Sequence, residues 1–196
     1  MAGKFRRQTV LPTVEAIDQE IRRVKYWRRY RRNLRGAVYS LLVVAAVAVL
    51  VSTLWLPVLR ITGSSMEPTL ADGELVAAVK TSRFQPGDVI AFYYNNKILV
   101  KRVVASAGDW VDLDDKGNVY VNNVALEEPY IMEKSRGECN IELPYQVGDG
   151  RVFVMGDDRA ISLDSRTTTV GTVSQEQVLG RVAYRVWPLK SFGKLQ

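Results

Sequence analysis

The sequence predicts a mainly β body of antiparallel sheets, carried behind one apolar helix of membrane-spanning length and a basic helix before it. Three observations predict it. Residues 37–59 hold no formal charge and are mostly Leu, Val and Ala. As a helix this run spans ~34 Å, enough for a hydrocarbon core of about 30 Å. From residue 60 onward, short apolar runs alternate with Gly, Pro, Asn and Asp turn signals, the pattern of many short strands. Charge divides at the same place. Residues 1–35 hold eleven Lys/Arg against three Asp/Glu, whereas residues 36–196 are net −2 within a total of +6. Three segments follow: a basic, partly helical segment 1–36, a spanning helix 37–59 and a β-rich body 60–196.

Taken in order, residues 1–12 read as disordered. Thr13–Arg35 reads as a helix, with Val14, Ile17, Ile21 and Val24 on one stripe. Its acids, Glu15, Asp18 and Glu20, come early and its arginines late, as the helix dipole favours. This helix is expected to lie on an anionic cytoplasmic leaflet through residues 22–35 before the anchor turns in. A solvated helix that only sets topology is the plainer alternative. Arg28, Arg29, Arg31, Arg32 and Arg35 precede the apolar run and only Arg60 follows it closely. The positive-inside rule therefore predicts a cytoplasmic N-terminus and an extracytoplasmic body. Trp55 suits a membrane interface, and Pro57 ends or kinks the helix.

Strands are expected at residues 74–80, 89–94, 97–105, 110–113, 119–121, 151–155 and 178–187. Asn95-Asn96, Asp115-Lys116-Gly117-Asn118 and Asn122-Asn123 are the turn signals between neighbours. Residues 127–150 read as irregular.

Composition narrows the chemistry. Cys139 is the single cysteine, so no intrachain disulfide forms. There is no histidine, which leaves no transition-metal motif and no imidazole to activate a nucleophile. No cofactor is expected. The basic residues crowd the anchor and the body is acidic, so the electrostatic footprint of a nucleic-acid binder is missing.

Three segments hold candidate chemistry. Ser65-Met66-Glu67-Pro68-Thr69 follows the apolar run by a few residues, beside Gly63. Alone, Ser65 is an ordinary turn serine. Lys101 shares a strand face with Leu99, Val103 and Ala105, so it is the one charge on an apolar face. Burial would lower its pKa and leave a neutral amine able to act as a base. Arg102 faces the other way and needs a carboxylate. Gly156 to Arg166 packs Asp157, Asp158, Asp164, Arg159 and Arg166 around Ser162 and Ser165, a salt-bridged loop at minimum.

Ser65-Met66-Glu67-Pro68-Thr69-Leu70, Lys101-Arg102-Val103 and Gly156-Asp157-Asp158…Ser162…Asp164-Ser165-Arg166 together resemble the type I signal peptidase family, in its compact Gram-positive form. The resemblance covers roughly residues 37–190. It implies a membrane-bound Ser/Lys endopeptidase of mainly β fold. Such an enzyme removes signal peptides from exported pre-proteins after small residues in an Ala-x-Ala pattern. By position, Ser65 is the expected nucleophile and Lys101 the general base. Ser162 is expected to hydrogen-bond the lysine amine, Asp157 to support the site, and Asp164 to pair with Arg166 and Arg102. The Ser65 N–H, with Gly63 beside it, is the expected oxyanion element. Ile61, Met66, Leu99 and Val100 are the expected pocket lining. The family's usual Gly-Asp-Asn is Gly-Asp-Asp here, and the Asp158 carboxylate is expected to raise the Lys101 pKa. The relatives that use histidine in place of the lysine are excluded. A self-cleaving repressor-type Ser/Lys protease and an inactive binding relative are the rival readings.

Overall fold

The structure, a computed structural model, describes residues 13–195, without the side chains of Ala16 and of residues 52–55. The expectations for residues 1–12 and for the Trp55 ring lie outside what is described. The described residues fall into two compact units that part between Leu50 and Val51.

One continuous helix, α1 (Val14–Trp55, 42 residues), takes the place of the two expected helices. It runs on through Gly36, so no turn separates a surface-lying segment from the anchor. Leu34, Arg35 and Ala37 around Gly36 are strong helix formers, and one glycine costs only about 1 kcal/mol in a helix interior. Within Ile17–Val51 the helix is long and apolar enough to cross a membrane, by length and composition. It stops at Trp55 rather than Leu59. Pro57 has no N–H to continue the ladder, and its carbonyl accepts instead from Ala78 N–H at 2.9 Å. The last four residues of the apolar run thus leave the helix, and two of them, Val58 and Leu59, enter a sheet with Arg60.

The strands are β1 (Val58–Arg60), β2 (Leu75–Val79), β3 (Val89–Tyr94), β4 (Lys97–Ser106), β5 (Trp110–Leu113), β6 (Val119–Val121), β7 (Val124–Ala125), β8 (Tyr145–Gln146), β9 (Arg151–Met155), β10 (Val173–Ser174), β11 (Val178–Trp187) and β12 (Gly193–Lys194). All pairings are antiparallel. The larger sheet runs β1-β2-β11-β3-β4-β9-β10, with β12 paired to β11, and the smaller runs β7-β6-β5-β8. β3, β5, β6, β9 and β11 have the expected limits. β1, β7, β8, β10 and β12 were not expected. Each is two or three residues long, too short to carry a period.

β3 explains why the sequence shows continuous apolar runs rather than alternation. Val89 and Ala91 pack into one cluster with Ile61, Met66, Leu70, Val76, Ala78 and Val182. Ile90 and Phe92 pack into another with Val103, Val152, Val154 and Val173. The sheet is buried on both faces there, so the strand's first four residues are all apolar. A third cluster, built on Val104, Ala105, Val111, Leu113, Val119, Val147, Phe153 and Met155, joins the two sheets. β4 reaches it because its register against β9 shifts between Val103 and Ala105. That irregularity breaks the expected alternation, so Ala105 leaves the face it was expected to share with Val103 and joins Val104.

Phe153 is fully buried at this junction of sheets. Phe153→Ala is expected to destabilise the body by about 3–5 kcal/mol, read as a fall in thermal midpoint of the full chain in detergent.

Candidate functional site

Two chain segments bring Ser65 and Lys101 together. The first leaves β1 at Arg60 and enters a turn at Ser65. Ile61 N–H donates to Glu74 O at 2.8 Å, and Gly73 N–H donates back to Ile61 O at 3.0 Å. Met66 and Leu70, at 2% and 0% exposure, sink into the core on either side of the turn. Leu70 N–H donates to Met66 O at 2.8 Å and closes the turn. Apolar anchoring thus fixes the backbone that carries a half-exposed Ser65 side chain. The second segment is β4, where Lys101 stands opposite Ile90 of β3. Lys101 is 3% exposed, and its Nζ lies 2.5 Å from Ser65 Oγ.

Burial is the main force on the lysine. It lowers the ammonium pKa from its ordinary 10.5 to about 8. Asp164 opposes the shift, Arg166 assists it, and Asp157 opposes it again. Both carboxylates are already held by arginines. Arg102 Nε and Nη2 donate to the two oxygens of Asp157 at 2.9 and 2.7 Å. Arg166 Nε and Nη2 do the same to Asp164, both at 2.9 Å. The expected pairing of Arg102 with Asp164 is therefore corrected: Arg102 takes Asp157, and Asp164 takes Arg166 together with the Gly156 N–H at 2.9 Å. The physical reason is local. Asp164 and Arg166 are two residues apart on one tight loop, whereas Arg102 reaches Asp157 across the β4–β9 pairing, in which Arg102 stands opposite Met155.

Arg102 is satisfied on every side. It also donates to Gly87 O at 2.8 Å and to Thr69 Oγ1 at 3.1 Å. Its guanidinium carbon sits 4.0 Å over the Tyr130 ring. A third buried arginine, Arg159, pairs with both oxygens of Glu128, at 3.0 Å from Nη1, and donates to Gly156 O at 3.1 Å. Tyr130 hydroxyl donates to Glu128 at 3.2 Å, and burial, with the Glu128 charge, pushes its pKa up. Glu128, Tyr130 and Arg159 are residues that sequence reasoning missed. No count of charges pointed to them: the loop's own Asp157, Asp158 and Asp164 match the three arginines in number, and only the structure turns Asp158 to a backbone N–H instead.

Other expected residues behave differently. Ser162 is buried, and among the described residues its Oγ makes no hydrogen bond, so the expected contact with the lysine amine is not made in this structure. It abuts Gly156 instead, where a Cβ would lie 2.5 Å from Ser65 O and closer still to Ser162 Oγ. Gly156 is needed for that approach. Gly63 N–H is taken by Asp72 Oδ1 at 2.8 Å and is not free for a substrate. Ser65 N–H makes no hydrogen bond among the described residues. Asp158 turns its carboxylate to Ala160 N–H at 3.2 Å and is not among the charges acting on Lys101. The expectation that it raises the lysine's pKa gains no support.

Ile61, Met66, Leu99 and Val100 all line one cleft of about 520 Å³ that has Ser65 and Lys101 in its wall. The arrangement offers a hydroxyl beside an amine that loses its proton near neutral pH, one free backbone donor, and an apolar trough leading to them. Removing the Asp157 charge strands a buried guanidinium. Asp157→Asn is expected to cost about 3–5 kcal/mol of stability. Asp115→Asn, at the exposed Arg136–Asp115 pair, is expected to change little. Thermal unfolding of the two variants side by side checks the contrast.

Comparison with known proteins bears on what this arrangement serves. A family model described as signal peptidase, peptidase S26, matches residues 34–187. Signal peptidase IB of Staphylococcus aureus (strain Mu50) is 32% identical over 183 residues, covering 83% of this chain and 94% of that protein. Thylakoidal processing peptidase 1 of Arabidopsis thaliana is 36% identical over 145 residues, covering 65% of this chain and 41% of that one, so the chain spans under half that relative's length. A crystal structure of a signal peptidase I from Enterococcus faecalis V583 is 28% identical and covers 51% of this chain and 97% of that chain, with a TM-score of 0.44.

Proposed function

Because this chain belongs to the signal peptidase S26 family, we propose that Ser65 is its nucleophile and Lys101 its general base in cleaving signal peptides from pre-proteins. The observation that carries the assignment is the 2.5 Å contact between Lys101 Nζ and Ser65 Oγ, on an amine whose pKa burial lowers to about 8. Neutral Lys101 takes the Ser65 proton as Oγ attacks the scissile carbonyl carbon. The oxyanion that forms accepts from the Ser65 N–H. The lysine ammonium then gives its proton to the departing amine, leaving an acyl-enzyme on Ser65. Lys101 next deprotonates a water, which attacks the acyl carbon, and the same proton returns to Ser65 Oγ. With Gly63 N–H engaged by Asp72, the second oxyanion donor is unassigned.

The cleft favours small side chains before the cleaved bond, in an Ala-x-Ala pattern. Ile61, Met66, Leu99 and Val100, apolar side chains in its lining, are the surface we read as accepting them. The relatives and the apolar helix point to a membrane-anchored protein. We read the membrane as the bacterial cell membrane, with the arginine-rich side of α1 cytoplasmic and the body outside. Confining enzyme and substrate to one plane raises their effective concentration.

Cleavage of an Ala-x-Ala pre-protein in detergent tests the assignment. Wild type is expected to cut after the second alanine, and Ser65→Ala and Lys101→Ala to lose at least about a thousandfold in kcat while remaining folded. A folded Lys101→Ala that cuts normally overturns the base. The wild-type kcat/KM is expected to rise with pH through an apparent pKa near 8 as Lys101 loses its proton.

Stability carries the opposite face of the same shift. The folded pKa lies below the unfolded one, so between about 8 and 10.5 the unfolded chain binds more protons and stability rises with pH. Below that window the buried ammonium costs the fold on the order of 3 kcal/mol. Lys101→Met is therefore expected to be inactive yet to unfold at a higher temperature than wild type at pH 7. The gain should vanish above pH 10.5.

A further inference from the structure

The cleft does not end at the apolar trough. Arg60, Asn96 and Lys97 line it as well, and no carboxylate does. Arg60 and Lys97 are exposed, and neither has an ion-pair partner among the described residues.

One cleft takes in both cations together with Ser65 and Lys101. β1, β2, β11, β3 and β4 are successive antiparallel neighbours, so β1 and β4 point the same way. Arg60 lies five residues before Ser65 and Lys97 four before Lys101. Walking back from the Ser65–Lys101 contact along either wall therefore leads to a cation. Along β4, at ~3.3 Å per residue, the step from Lys101 back to Lys97 is about 13 Å. Val58 follows the end of α1 at Trp55 by three residues, so this is the end of the cleft tied to the anchor.

This inference rests on the proposed function. A pre-protein's signal has an apolar stretch of about 7–15 residues and then a small-residue triplet before the cleaved bond. In lipid the apolar stretch is helical, because its backbone groups must be satisfied internally. With the scissile bond at Ser65 and the triplet extended along the trough, the residue level with Arg60 and Lys97 is the fourth or fifth before the bond. That is where the signal's helix ends. A helix C-terminus presents unpaired carbonyls and about half a negative charge.

We propose that Arg60 and Lys97 form a cationic subsite for the C-terminal end of the signal's apolar helix, binding its free carbonyls and any acidic side chain there and disfavouring a cation. The subsite sets where the helix must give way to extended chain, and so helps fix which bond reaches Ser65.

The test compares three pre-proteins identical but for Glu, Gln or Lys at the fifth residue before the cleaved bond, in neutral detergent. Wild type is expected to favour Glu over Lys about fivefold or more in kcat/KM, with the preference fading at high salt. The double variant Arg60→Glu/Lys97→Glu is expected to invert the order. Equal cleavage of the three by wild type, or an unchanged ratio in the variant, overturns the subsite while leaving Ser65 and Lys101 standing. Cleavage of none by folded wild type would sink the proposed function itself. Repeating the series in zwitterionic and anionic bilayers separates a second source of negative charge. A preference that emerges only with anionic lipid assigns the two cations to headgroups and overturns the subsite.

Discussion

An amine serves as a base near neutral pH only where its charged form is made unfavourable, and a chain without histidine has few other ways to activate a serine. Burial of Lys101 at 3% exposure meets that requirement. It also constrains everything nearby. An unpaired carboxylate beside the amine would restore its charge, yet the neighbouring loop is rich in acids. The structure resolves the conflict by binding Asp157 and Asp164 in two-point contacts with Arg102 and Arg166. Each pair is close to neutral as a unit, so desolvation remains the largest influence on the lysine.

Burying three arginines creates its own demand for partners, because a buried cation left unpaired is strongly destabilising. Residues 127–137 meet it. Glu128 takes Arg159, the Tyr130 ring lies under Arg102, and the carbonyls of Ser135 and Arg136 accept from Arg166 at 3.3 and 2.8 Å. The segment is irregular because its backbone oxygens serve guanidiniums rather than a ladder. Gly137 shows how close the approach is. Its φ is +55°, and a Cβ there would lie 2.6 Å from Arg166 Nη1.

These pairs in turn hold the surroundings of Ser65. Gly156, fixed by Asp164 on its N–H and by Arg159 on its carbonyl, packs against the Ser65 carbonyl. Asp158 N–H donates to that carbonyl at 3.2 Å. The chain of contacts runs from an exterior strap, through arginine–carboxylate pairs, to the backbone of Ser65. Buried polar networks of this kind are rigid when fully satisfied, and Ser162 Oγ is the unsatisfied member beside the site.

Much of this protein was legible in the chain itself. The long strands were readable because they are apolar over many residues between strong turn signals, and β3, β5, β6, β9 and β11 end where those signals fall. Lys101 stood out as a charge among Leu99, Val103 and Ala105 on one expected strand face, and Ser65, an ordinary turn serine alone, through the motif set it belongs to. The short strands β1, β7, β8, β10 and β12 were not readable, since two or three residues hold no period. Partner choice among the charges was not readable either. Arg102 with Asp157, and Arg159 with Glu128, are pairings across 55 and 31 residues, and any carboxylate in the sequence satisfies the same rule of charge. What the sequence determined by itself were the periodic and chemical facts: which segments bury, where the chain turns, and that no imidazole is present to activate a serine. Which carboxylate each arginine holds, that α1 runs unbroken, and that Arg60 and Lys97 line one cleft were decided by tertiary structure. Distance and desolvation in three dimensions, not spacing along the chain, set those outcomes.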